Sequence, residues 1–157
     1  MNIRTTPLKL VTIMIDFFVI FFGFALTMGL TSSAKNQSLF TLQITTSISL
    51  YLACTLIFAI SFYLFRIFHL IDIHNFFSDS ALIFVKTVRY LFIALFIVLL
   101  GIMPFVYYTA DHGDAPGLIF IVMGIVFIPL AIAVFISAME KILNNSINLK
   151  KENELTI

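Results

Sequence analysis

The chain has 157 residues, of which 61% are hydrophobic and 11% charged, with nineteen Phe, no Trp and a net charge of +1. Soluble domains average roughly 45–50% apolar and 25% charged residues, so charge is too scarce here to cover a water-facing surface and lipid must surround most of the chain. The near-neutral balance carries no signature of direct nucleic-acid binding, and a single cysteine, Cys54, excludes an intrachain disulfide or a cysteine-rich metal framework.

A helix needs about 20 mainly apolar residues to cross a hydrocarbon core about 30 Å thick. Four stretches reach that length, at about residues 8–30, 47–65, 90–108 and 117–139. Strict apolar alternation, the mark of a membrane barrel, is absent, so the spans should be helices that satisfy their own backbone. The expected fold is all-α: a single domain over residues 1–157, an antiparallel, up-down integral membrane four-helix bundle. Arg4, Lys9, Arg66, Lys86, Arg89, Lys141, Lys150 and Lys151 fall on one side, and Lys35 alone on the other. The positive-inside rule then makes the protein a multi-pass component of the inner (cell) membrane with both termini cytoplasmic.

In chain order, the first helix starts with Thr6 as N-cap and Pro7 at its first helical position. The opening MNIRTTPLKL, an apolar run and TSSA resemble a signal peptide, but Asp16 interrupts the apolar run and favours a retained span. Only 14 residues, about 21 Å of helix, separate Asp16 from Leu30, so its carboxylate is drawn below the headgroups and needs a partner. Arg66, at the matching end of the second span, is the expected partner; a protonation or ligand site is the alternative. The second helix continues past Arg66 into a hairpin with its tip at 73–77. His69 and Asp72 share a helical face there, but His74 points elsewhere, so no zinc spacing results. Ser78 is the N-cap of the third helix, Asp79 opens its first turn, and Lys86 and Arg89 carry it through the headgroup layer.

The outer connection, TADHGDAP, reads as a hairpin turn rather than a cation site. Pro104 and Pro129 can each kink a span. In the fourth span Gly117, Gly124, Ala131 and Ala138 recur every seven residues. Seven residues are two helical turns, so these small side chains form one close-packing seam, expected on the inner face of the bundle, with a homodimer face as the alternative. The tail, 140–157, extends the fourth helix as an amphipathic cytoplasmic segment.

Several of these segments, DAPG (114–117), AVF (133–135), INLKKENELTI (147–157) and LIDIHNFFSDSALIFVKTVRYL (70–91), resemble the YoaS-like family of small four-helix bacterial membrane proteins of unknown function. The likeness runs from the second helix onward; the first helix is similar only in being apolar. The resemblance implies a regulatory partner, a small cytoplasmic helix-turn-helix transcription regulator that the membrane protein binds or sequesters. It carries no catalytic residue, metal or cofactor. The surface expected to dock such a partner comprises Asp72, Phe77, Ser78, Lys86, Arg89, Lys150, Lys151 and Leu155. A small transporter, channel or peptide-immunity protein using Asp16 is the alternative. An enzyme would need a cluster of nucleophile, base and oxyanion donors, and no span supplies one.

Overall fold

A computed structural model describes residues 5–35 and 41–155, with side chains to Glu152. The helices are α1 (Thr6–Lys35), α2 (Thr41–Asp72), α3 (Asp79–Leu100), α4 (Met103–His112) and α5 (Gly117–Leu155). α3 and α4 together make the third span, so four helical rods are long and apolar enough to cross a bilayer. They form an all-α membrane bundle in which α3 is central. α2 packs on one side of α3 and α5 on the other, while α1 lies against α2.

The main core runs along this central helix. Ala53, Ile60 and Ile67 of α2, Ala81, Val85, Val88 and Leu95 of α3, and Leu143 and Ile147 of α5 make one buried cluster. On α5 the buried positions are Val126, Pro129, Ala133, Leu143 and Ile147, with Ile136 and Glu140 half-buried. These follow a heptad stripe, the seam expected when two helices pack with a slight left-handed supercoil. The seven-residue period read from the sequence therefore holds, but its phase differs. Gly117, Gly124, Ala131 and Ala138 are all exposed, and Cβ atoms added at Gly117 and Gly124 would meet nothing. Each lies two residues from the buried stripe, roughly 200° around the helix. The inner-face expectation for this seam is thus corrected: Gly117, Gly124, Ala131 and Ala138 look outward, and the buried stripe is filled by larger side chains except at Ala133.

The ends of the elements follow local chemistry. Thr6 is the first helical residue rather than the cap, and the carbonyl of Thr5 accepts from Lys9 N–H at 3.0 Å. α2 stops in a turn where Asn75 N–H donates to Leu70 and His74 N–H to Ile71. His74 there adopts φ 57°, the left-handed position that ends many helices. Ser78 caps α3, its Oγ accepting from Ala81 N–H at 3.3 Å. The third span breaks rather than bends. Pro104 has no N–H for the carbonyl of Leu100, and the chain tightens through Gly101 N–H to Val98 and Ile102 N–H to Leu99. A Cβ at Gly101 would fall against the Ser49 hydroxyl of α2, which would have to rotate away. α5, by contrast, remains one helix through Pro129.

Candidate functional site

Two interfaces differ in chemistry. The face that α1 turns to α2 repeats at heptad spacing through Thr5, Lys9, Thr12, Asp16, Val19, Gly23, Leu26, Leu30 and Ser33, each buried or half-buried. Its opposite face is open hydrocarbon, with Phe17 72% and Phe18 68% exposed. α1 is thus polar inside and apolar outside, as suits a helix whose surroundings are lipid. Thr5 Oγ1 and Lys9 Nζ both donate to the Asp72 carboxylate, each at 2.5 Å, and Ser61 Oγ donates to Asp16 Oδ1 at 2.6 Å.

The expected Asp16–Arg66 pair is therefore replaced. Asp16 takes its hydrogen bond from Ser61, while Arg66 is exposed and stacks over Phe62 (5.0 Å to the ring centroid) and Phe84 (5.8 Å). Register explains the exchange. The antiparallel alignment that sets Thr5 against Asp72 and Asp16 against Ser61 puts Arg66 level with Val11, about 7.5 Å along the axis from Asp16. A hydroxyl at the right depth reaches the carboxylate where a cation about 1.4 turns away does not.

The α3–α5 interface is mainly apolar, and two ion pairs among the described residues cross it. Arg89 Nη1 lies 2.7 Å from Glu140 Oε2, with side chains 20% and 18% exposed. The approach is an ion pair rather than an aligned hydrogen bond, and Arg89 Nε is buried without a hydrogen-bond partner among the described residues. The Arg89 guanidinium also lies 4.7 Å from the Tyr90 ring centroid. Glu140 occupies the position on α5 that Val126, Ala133 and Ile147 fill in neighbouring heptads. Further out, Lys151 Nζ donates to both carboxylate oxygens of Asp79 at 3.0 Å.

These contacts bring the α2–α3 hairpin and the α5 tail into one structure. Leu143 and Ile147 of the tail are 4% and 3% exposed, packed in the cluster with Ile67, Ala81 and Val85. The apolar face that the sequence assigns to a peripheral tail is therefore divided: half completes the core, and Ile142 and Leu149 stay exposed. At the hairpin tip, Ile73 and Phe77 are exposed as well. Of the residues expected to form the docking surface, Asp72, Phe77, Ser78 and Lys151 gather around the tip. Lys86 and Arg89 lie about 10 and 15 Å further down α3. Leu155 ends α5, its side chain lying outside the described residues. Among the described residues no group of His, Cys, Asp and Glu is placed to hold a metal ion.

Sequence reasoning missed Ser61, Thr5, Lys9 and Glu140 as partners. Glu140 was findable, because continuing the stripe Val126–Ala133 by seven residues lands on it. Ser61 was not, since its pairing depends on the register between two separate helices.

Residues 29–157 match the family described as "Protein of unknown function (DUF2975)". The chain belongs to this family. Most of α1 lies before the matched region, in line with the weak likeness of the first helix. The chain is similar to the uncharacterized membrane protein YoaS of Bacillus subtilis (strain 168), 34% identical over 93 residues, which are 59% of this chain and 58% of that protein. The likeness thus spans little more than half the length of that relative. No solved structure matches the chain.

Proposed function

We propose that this DUF2975 protein is a non-enzymatic regulatory protein of the inner membrane whose basic end docks a soluble cytoplasmic partner. The observation that carries this reading is the union of hairpin and tail. Lys151–Asp79, Arg89–Glu140 and the burial of Leu143 and Ile147 tie α2, α3 and α5 together beyond the apolar stretches. α5 runs for 39 residues, about 58 Å, against a hydrocarbon core of about 30 Å. The excess projects as a packed structure, with Ile73, Phe77 and Leu149 exposed among charged neighbours. A preformed surface of this kind binds without first ordering its own segments.

The partner suggested by the family resemblance is a helix-turn-helix transcription regulator, held at the membrane and away from DNA. Seven of the eight Lys and Arg among the described residues lie at this end, which supports a cytoplasmic orientation by the positive-inside rule. The test is co-purification of that regulator with the full chain in mild detergent. Phe77→Asp with Leu149→Asp should abolish recovery while leaving the helical content intact; unchanged recovery contradicts the docking role. A transport or immunity role through Asp16 has less support, because Ser61 engages the carboxylate inside a packed interface. Asp16→Asn should accordingly leave partner recovery unchanged.

A further inference from the structure

A recess of about 410 Å³ opens between α3 and α5, lined by Lys86, Arg89, Ser137, Glu140, Lys141 and Asn144. This volume falls in the range of about 300–1,000 Å³ typical of small-ligand sites. Its charge is unbalanced: three cationic side chains accompany one carboxylate, and Arg89 already engages that carboxylate. Lys86 and Lys141 are exposed and have no ion-pair or hydrogen-bond partner among the described residues. Ser137 and Asn144 add neutral hydrogen-bonding groups at the rim.

Depth decides what such a recess would meet. On α3, Lys86 and Arg89 stand just before Tyr90, where the apolar run begins; on α5, Glu140, Lys141 and Asn144 stand just after Met139, where it ends. The 2.7 Å approach of Arg89 and Glu140 sets the two boundaries at one level. The recess therefore lies where hydrocarbon gives way to headgroups. Seven residues inward from Lys86 and Lys141, Ile93 and Val134 continue the same helical stripes into the apolar belt, Val134 being 65% exposed. Cations above and an open apolar stripe below match a molecule with a phosphate at one end and an acyl chain at the other. Basic pockets between membrane helices recognise anionic lipid headgroups on these grounds.

We propose that the recess between α3 and α5 binds the phosphate of an anionic phospholipid, with Lys86 and Lys141 as its principal ligands and Arg89, fixed by Glu140, as the third cation. A lipid held here would brace α3 against α5 at the root of the projecting hairpin and tail. The hairpin tip stays clear of it, so loss of lipid binding and loss of partner docking are separable results.

The test is native mass spectrometry of the full chain released from nanodiscs of equal parts phosphatidylglycerol and phosphatidylethanolamine. The wild-type protein should retain phosphatidylglycerol preferentially. Lys86→Gln with Lys141→Gln should lower its retention about 25-fold, each lysine near the surface contributing about fivefold. Lys86→Arg with Lys141→Arg should keep it, and Lys35→Gln, at the other end of the bundle, should change nothing. Because neither lysine has a partner within the described structure, the glutamine variant in lipid-free detergent should melt at the wild-type temperature. Equal retention of the two lipids by the wild-type protein would overturn the proposal. So would undiminished phosphatidylglycerol on the glutamine variant, or its displacement by millimolar glycerol phosphate, which would assign the recess to a soluble phosphate.

Discussion

The α1–α2 and α3–α5 interfaces solve one problem in opposite ways. Between α1 and α2 one half of the seam is polar: Thr5 and Lys9 meet Asp72, Asp16 meets Ser61, and most Phe and Ile of α1 are left to the lipid. Between α3 and α5 the seam is mainly aliphatic, and the Arg89–Glu140 and Lys151–Asp79 ion pairs stand toward one end of it. In lipid, burial of apolar surface gives no net gain over contact with acyl chains, so a helix is held by close packing and by polar groups that have no better partner. The first interface relies on the polar groups. The second relies on packing over a long seam that continues through Leu143 and Ile147.

The sharpest break in this contrast is Arg89→Ala. It leaves Glu140 charged and half-buried without its partner, and should cost about 3 kcal/mol, the lower end for breaking a buried pair since a fifth of each side chain reaches solvent. Denaturant titration in detergent, followed by circular dichroism, reads this directly. Ala133→Leu comes next. Ala133 is 3% exposed in the α5 stripe, and overpacking there should cost about 2 kcal/mol. Ala131→Leu, two residues away on the outward face, should leave the same titration unchanged, and its oligomeric state in detergent tests the homodimer alternative for the small-residue seam.

Across the other interface, Ser61→Ala should cost about 1 kcal/mol, in keeping with interhelical hydrogen bonds inside membranes. Its effect should be local: cysteine crosslinking between α1 and α2 should fall while α3–α5 crosslinking holds. The smallest effect belongs to Lys9→Gln. The Lys9–Asp72 pair is more than a third exposed, so the loss should stay below about 1 kcal/mol and shrink as salt is raised.

How much of this was legible in the residues depends on whether the signal lay along one helix or between two. Span lengths, the Ser78 cap, the continuation of α2 past Arg66 and the heptad period of α5 are properties of single segments, and each is readable from spacing. The phase of that heptad is not, because small residues and aliphatic residues both repeat every seven positions and only the neighbouring helix chooses between them. The same holds for Asp16. Its need for a partner follows from its depth, but the choice of Ser61 over Arg66 follows from a register fixed by helices that the sequence leaves unpaired. Pro104 is intermediate: a kink is expected from the residue alone, and the structure makes it a break, with the chain tightening at Gly101 and Ile102.

The docking surface depends above all on which side of the membrane the hairpin and tail occupy. With Cys54 replaced by Ser, a single cysteine at Ser78 can be challenged with a membrane-impermeant maleimide in intact cells. No labelling is expected until the membrane is permeabilised, whereas a cysteine at Ala115 should label readily beforehand. Labelling of position 78 from outside an unbroken cell would contradict it.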